Sequence, residues 1–420
     1  MDFSQGQAYL ESLARFGSKP GLSRIQELCQ ALDNPQRNFP VIHIAGTNGK
    51  GSTARMTADI LAAHGLKTGL YISPHIESFN ERITVQGVPI PSGALDALVE
   101  ELRPLATGMA DHPTEFEVCT ALALRYFAQE EVDCAVVEVG MGGRFDATNV
   151  VQPAVCVITH VDLDHQEVLG KTIEEIAFEK AGIIKPGVPV VLTPQREGAR
   201  NTILAVAEER GCHVEELDAS AWTVEEVSLA GTVFTFQGQR IHLSLLGQHQ
   251  VINACAAITA SKLFLGEAFH WEPVLQSLGR VRWPGRLEVM GTDPLVLLDG
   301  AHNLDGAQAL RAALSALLPE RKITFLMGMM EDKEANAILK TLLPLGTKAI
   351  FTEPTKGRSA SIPAAELKSL ARRYLDEVYA YPDPAVALSE ALNMVAGDEV
   401  LCICGSLYLV RELRPLLSRN

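Results

Sequence analysis

The residues with the clearest capacity for chemistry stand together in Gly46-Thr47-Asn48-Gly49-Lys50-Gly51-Ser52. Glycines let backbone N–H groups turn toward an anion, Lys50 adds a positive charge, and the Ser52 hydroxyl is of the type that reaches a nucleotide-bound Mg²⁺. The spacing is not the common G-x-x-x-x-G-K-[ST] pattern: Ile44 stands five places before Gly49, and Gly51 separates Lys50 from Ser52. Two elements must aim such a turn, and both are legible. Val41-Ile42-His43-Ile44-Ala45 is a short apolar strand, and Thr53 to Ala63 reads as a helix. Strand, Gly-rich turn and helix N-terminus together make a phosphate cradle, with the helix dipole facing the anion.

Further chemical groups recur where apolar runs end. Cys134-Ala135-Val136-Val137-Glu138-Val139 reads as a central parallel strand carrying one carboxylate. Buried and unpaired, Glu138 would cost roughly several kcal/mol, so it needs a cation. Mg²⁺ beside the cradle and the nearby Arg144 are the two candidates. Gly140-Met141-Gly142-Gly143-Arg144-Phe145-Asp146-Ala147-Thr148-Asn149 then gathers polar groups of several types, as binding loops do. The next strand, 154–159, ends in His160-Val161-Asp162-Leu163-Asp164-His165, where His165 could ligate a metal or meet phosphate. Ser73-Pro74-His75 closes a strand at 69–73, the end at which open α/β sheets place ligand loops. Lys180, near the end of a helix at 172–181, reads by itself as a cation favouring a helix C-terminus.

Composition narrows the class. With 420 residues, 47% hydrophobic and 21% charged, the chain can bury the cores of two globular domains. A net charge of −15 argues against nucleic acid or an acidic membrane surface as partner. The eight cysteines have no zinc-knuckle spacing, and the start, Met1-Asp2-Phe3-Ser4, is unlike a signal peptide, so a reducing cytoplasm is expected. No apolar run approaches the ~20 residues of a membrane span. The pattern predicts an α/β protein. A doubly wound, P-loop-containing parallel sheet occupies 1–290, with a small β excursion near 213–246, and a second, smaller α/β domain occupies 291–420. Two helices are expected in 5–35, and others at 92–102, with Ser92 as N-cap, and 115–129. The second domain should hold strands near 295–299, 322–327, 348–352 and 398–404. Its strand ends bear Asp299-Gly300-Ala301-His302-Asn303 and Gly405-Ser406.

Taken together these stretches resemble the bacterial folylpolyglutamate synthases, often bifunctional with dihydrofolate synthase, of the Mur ligase superfamily. The likeness is carried by Gly46 to Ser52, Ser73-Pro74-His75 with Phe79-Asn80-Glu81-Arg82-Ile83, Glu138 to Asn149 and Leu163-Asp164-His165. Glu179-Lys180-Ala181-Gly182, Gly285-Arg286, Asp299 to Asn303 and Cys404 to Tyr408 extend it, in the family's order. The resemblance implies ATP-dependent joining of L-glutamate to a reduced folate, or to dihydropteroate, through an acyl phosphate. It implies that Thr47, Asn48, Gly49, Lys50 and Gly51 hold ATP with Asn253, Arg286 and Asp299. It gives a first Mg²⁺ to Ser52 and Glu138, and a second to Glu138 and His165. Lys180 matches a lysine that is carbamylated in the superfamily, which replaces the helix-end reading. His302 and Ser406 match positions near the incoming glutamate or the reaction centre. Ser73, Pro74, His75, Thr114, Phe116 and Asp146 match the folate side. The family also leads one to expect a monomer. Two departures are local: Leu304 follows Asn303 where many members have proline, and the 111–117 loop lacks an aromatic before Phe116.

A cell-wall precursor ligase of the same superfamily would share this chemistry, but the 73–83 stretch and the 142–149 loop favour the folate branch. A P-loop switch protein is a different class, and the chain has no Asn-Lys-x-Asp guanine-reading motif.

Overall fold

The computed structural model describes residues 5–17, 19–355, 359–395 and 397–418, which form two compact units. The first comprises 1–222 with 252–281, and the second 223–251 with 282–420.

Among the described residues the first unit is built on an eight-stranded sheet. Its strands are β1 (Val41–Ala45), β2 (Thr68–Tyr71), β3 (Ile83–Val85), β4 (Val88–Pro89), β5 (Cys134–Glu138), β6 (Pro153–Ile158), β7 (Val190–Leu192) and β8 (Val214–Glu216). Their order is β4-β3-β2-β5-β1-β6-β7-β8, parallel except for the β3–β4 hairpin at one edge. The β-branched and apolar residues of β1, β5 and β6 leave no polar face, which requires cover on both sides. Helices Ser92–Gly108 and Glu115–Gln129 supply one cover, with Leu98, Leu102, Leu122 and Phe127 in a core that includes Tyr71 and Val137. Helices Ile173–Ala181 and Glu197–Glu209 extend the same cover, through Ile176, Ile203 and Val206 against Cys156 and Val190, which register aligns with Val137 and Tyr71 on one face. Helix Lys50–Ala63 packs on the opposite face, toward which Leu70 points. Helix Gln248–Leu265 has the length and apolarity of a membrane span, but Ala254 to Ile258 and Ala260 are fully buried, as in a core helix.

The second unit holds a three-stranded sheet, β9 (Trp222–Ser228), β10 (Gly231–Phe236) and β11 (Gln239–Leu243), whose order is β11-β10-β9. It also holds a six-stranded sheet: β12 (Glu288–Thr292), β13 (Leu295–Leu298), β14 (Ile323–Met327), β15 (Gly346–Phe351), β16 (Glu377–Ala380) and β17 (Val400–Cys404), in the order β12-β13-β17-β14-β15-β16. Only β12 is antiparallel to its neighbour.

The division differs from the expected cut near 290. Most of the β excursion groups with the C-terminal unit, whereas Val214–Glu216 is the last strand of the large sheet. Residues 252–281 return to the first unit, because an excursion can leave and rejoin a core that sequence order alone would keep in one piece. The expected strands and helices are present within a few residues; β7, β12, β16, the β3–β4 hairpin and helices Glu197–Glu209 and Trp271–Leu278 lie outside that expectation. Ser92 is the first helical residue rather than the cap; Pro91 occupies the cap position.

Candidate active site

In the first unit the sheet brings four strand ends side by side in the order β2, β5, β1, β6. Register fixes the neighbours. Ile44 of β1 pairs with Glu138 of β5 on one side, and Ala45 pairs with Ile158 of β6 on the other. The turn leaving β1 is stitched from both flanks. Val139 N donates to Ile44 O at 2.9 Å, Thr159 N to Ala45 O at 2.8 Å, and Thr47 N to His160 O at 2.8 Å. The Thr47 hydroxyl donates to Asp162 O and accepts from Asp162 N. These bonds hold the turn open for a ligand without using its later N–H groups.

Two glycines of the turn are compelled by geometry. At Gly46 a Cβ would lie 1.8 Å from Thr159 Oγ1. Gly49 has φ +88°, and a Cβ there would stand 2.3 Å from Asn253 Oδ1, so Asn253 seats its amide against the cradle from a helix two hundred positions downstream. The helix Lys50–Ala63 begins immediately after Gly49, and Ser52 is buried in its first turn. Lys50 Nζ donates to Thr47 O at 3.2 Å.

Glu138 ends β5 at 5% exposure and accepts from Ser73 N at 3.0 Å, which ties the Ser73-Pro74-His75 loop to the strand beside the cradle. Arg144, the alternative partner, is held by Glu179 at 2.7 Å. Lys180 lies at 4% exposure and donates from Nζ to Gly46 O at 2.8 Å. Burial lowers its pKa from 10.5 to about 7, and the charge of Lys50 pushes the same way. It is therefore a reactive amine inside the cradle, not a solvated charge at a helix end. His165 is placed differently: it follows β6, on the far side of β1 from Glu138, with a left-handed φ of +50° and a half-exposed ring. Among the described residues neither Glu138 nor His165 belongs to a set of three His, Cys, Asp or Glu ligand atoms within 4.8 Å of one another. The buried Ser52 hydroxyl and the Glu138 carboxylate are hard oxygen donors and fit Mg²⁺.

The residues expected on the folate side cluster beyond β2 and β5. His75 Nδ1 accepts from Arg82 Nε at 3.0 Å, and Arg82 stacks over Phe79 and meets Glu115 at 3.4 Å. Phe116 stacks against Tyr71 with ring centroids 6.0 Å apart. A Cβ on Gly140 would come within 2.4 Å of the Phe116 ring, so the Gly-rich loop and Phe116 share a wall. Thr114 is committed elsewhere: its hydroxyl donates to Glu117 Oε2 and accepts from Glu117 N, capping the helix Glu115–Gln129. Asp146 is likewise a staple. One carboxylate oxygen accepts from Met141 N at 2.9 Å, the other from Thr148 N and the Thr148 hydroxyl. Burial raises its pKa and these bonds oppose the rise.

Several residues outside the expected set also hold this site. His43 is fully buried in β1 with Nε2 2.9 Å from Thr148 Oγ1. Thr148 spends its hydroxyl proton on Asp146, so His43 Nε2 is the donor to Thr148, and burial holds the ring neutral with a pKa of about 3. Arg24, bonded to Glu117 and Asp111, anchors the helix that Thr114 caps. A polar residue inside an apolar strand was the visible sign for His43; Arg24 left none.

In the second unit the expected residues meet at the ends of adjacent parallel strands β13 and β17. Asp299 N donates to Ile403 O, and Gly405 N to Ala301 O, both at 2.9 Å. Asp299 is buried and accepts from Leu287 N and Ala301 N, each at 2.8 Å. Burial raises its pKa, while Arg286 and His249 oppose that rise. His249, another unassigned residue, lies near Asp299, partly buried, and desolvation lowers its pKa. His302 Nδ1 donates to Gly300 O at 2.8 Å, which fixes the tautomer with its proton on Nδ1. Asn303 caps Leu304–Leu317 through Gly306 N, so leucine in place of proline leaves the helix start intact. Ser406 caps Leu407–Leu417 through Tyr408 N.

Comparison with known proteins agrees over the whole chain. Residues 44–261 match the Mur ligase middle domain, and residues 285–407 match the Mur ligase, glutamate ligase domain. The chain is 38% identical to the folylpolyglutamate synthase of Lacticaseibacillus casei and 35% identical to the dihydrofolate synthase/folylpolyglutamate synthase of Bacillus subtilis, covering 99% of each chain in both cases. The folylpolyglutamate synthase of Mycobacterium tuberculosis, in its complex with ADP, superposes with a TM-score of 0.92 at 33% identity over 99% of both chains. The chain therefore belongs to the folylpolyglutamate synthase and dihydrofolate synthase family of the Mur ligases.

Proposed function

We propose that this chain joins L-glutamate to folates at the expense of ATP, elongating folate polyglutamates and also converting dihydropteroate to dihydrofolate. The observation that carries the reading is the convergence of Glu138, the buried amine of Lys180 and the glycine cradle at neighbouring strand ends.

A carboxylate does not acylate an amine at a useful rate, because its oxygen is a poor leaving group. Transfer of the γ-phosphoryl group of ATP to the folate carboxylate forms an acyl phosphate and ADP. The glutamate amine, once deprotonated, attacks the carbonyl carbon, and inorganic phosphate leaves as the amide forms. The protein's part is positioning and charge neutralisation. Lys50 and the N–H groups of Gly49 to Gly51 would cradle the phosphates, with Asn253 beside them. In the second unit Arg286 and Asp299 would be ATP-binding residues. Ser52 and Glu138 would hold one Mg²⁺, and Glu138, His165 and a carbamate on Lys180 a second. Bound there, Mg²⁺ would neutralise phosphate charge. His302 and Ser406 would orient glutamate.

On the folate side, Ser73, Pro74, His75 and Phe116 would meet the substrate, while Thr114 and Asp146 act by fixing the shape of the loops that do so. Release of ADP should be measured with MgATP and glutamate, once with dihydropteroate and once with a reduced monoglutamyl folate. Turnover with both establishes the bifunctional synthase. Turnover with the folate alone restricts it to tail elongation, and none with either overturns the reading.

A further inference from the structure

A cavity of about 270 Å³ in the first unit opens beside the cradle helix, lined by Arg55 and Asp59 of that helix, Leu70 of β2, Thr84 of β3, Gln86 and Arg280. We propose that this cavity is a second anion site, which takes a small molecule bearing a carboxylate or phosphate group. The proposal does not depend on the reaction assigned above.

The chemistry of the lining is uneven in one direction. Arg55 Nε pairs with Asp59 at 2.9 Å, one helical turn away, which cancels the single carboxylate. Arg280 is exposed, and among the described residues no hydrogen bond or ion pair engages its guanidinium. A net positive charge thus stands at one rim of a chain whose total is −15.

The floor carries a second, independent sign. Leu70 and Thr84 are directly opposite in the antiparallel β2–β3 pair, so their side chains share a face. Thr84 is 5% exposed, and its hydroxyl has no partner. A buried hydroxyl without a partner is costly, and a turn about the Thr84 Cα–Cβ bond would bring its proton to an anion oxygen in the cavity. Gln86 spends its side-chain oxygen on Thr68 N at 3.0 Å, which leaves its amide N–H₂ as a further donor at the mouth. Guanidinium, hydroxyl and amide donors around one cavity are the set that recognises a carboxylate or phosphate. The volume limits the ligand to a small metabolite or the end of a larger one.

The test is calorimetric titration of the full-length protein with the cradle saturated by Mg²⁺ and a non-hydrolysable ATP analogue. Inorganic phosphate and malonate are added in separate experiments. One molecule should bind, and Arg280→Gln should weaken it roughly tenfold, the usual scale for a charge-assisted contact. Arg280 is exposed, so its replacement carries no folding risk. Thr84→Val should weaken binding too, yet raise the thermal midpoint of the ligand-free protein, since it removes the partnerless hydroxyl at nearly constant shape. Binding of phosphate alone assigns a phosphorylated ligand, and binding of malonate alone a carboxylate. If neither binds, or if both variants titrate like the wild type, the cavity is not an anion site.

Discussion

Lys180 allows stability and function to be separated, because its amine is 4% exposed inside the cradle and donates to Gly46 O. Burial moves its pKa from 10.5 to about 7. At 1.36 kcal/mol per unit, that shift is a penalty of about 5 kcal/mol on the folded state wherever both forms are protonated. Lys180→Met removes the penalty and also a hydrogen bond worth about 1–1.5 kcal/mol. The metal-free variant should therefore be more stable than the wild type by ~3 kcal/mol at about pH 6, before any repacking cost.

The pH dependence has a definite sign. Between about pH 7 and 10.5 the unfolded chain holds the proton that the folded protein has released, so wild-type stability climbs with pH through that window. By about pH 9 the penalty falls to about 2 kcal/mol and the two proteins should be nearly equal. Urea unfolding in bicarbonate-depleted buffer measures both arms. A stability difference that stays flat between these pH values would refute the reasoning.

The same low pKa leaves about half of the amines neutral at pH 7, against roughly one in three thousand for an ordinary lysine. Only the neutral amine attacks CO₂. Carbon-13 bicarbonate should give a carbamate resonance in the wild type that Lys180→Met lacks. Turnover should fall steeply in Lys180→Ala and recover in part with added formate or acetate. A fully active Lys180→Ala enzyme would remove the carbamate from the mechanism.

Other substitutions test the remaining parts. Gly49→Ala forces a side chain into φ +88° and against Asn253, so calorimetry should show nucleotide affinity at least about tenfold weaker; unchanged affinity would move the phosphates elsewhere. Arg24→Met strands the Glu117 carboxylate, which is 5% exposed, and should cost about 3–5 kcal/mol in denaturant unfolding; Glu117→Gln in the same chain should recover much of the loss. Asp146→Asn replaces one acceptor oxygen with a donor where Met141 N and Thr148 N both donate. The loop should loosen, raising KM for the folate about tenfold with little change in nucleotide affinity, on the scale of one charged hydrogen bond. An unaltered KM would separate this loop from the substrate.

The local signals in this sequence were sufficient for much of the framework. An apolar run without a polar face can only be a strand covered on both sides, so Val41–Ala45 and Cys134–Glu138 were readable as central. The three glycines among Gly46 to Ser52 declared a cradle because few other turns need that backbone freedom beside a lysine. What the chain could not disclose locally was set by long-range register and burial. Lys180 reads as a favourable charge at a helix end until the fold buries it against Gly46 O, where desolvation turns it into a near-neutral amine. Glu138 and His165 follow successive strands of the chain, and only the sheet order shows that the cradle strand β1 lies between those strands. Thr114 and Asp146 sit in the right loops, yet their oxygens are spent on backbone N–H groups that must be satisfied once buried. The return of 252–281 to the first unit also escaped the sequence, since hydrophobic periodicity identifies a buried helix without naming the core that buries it.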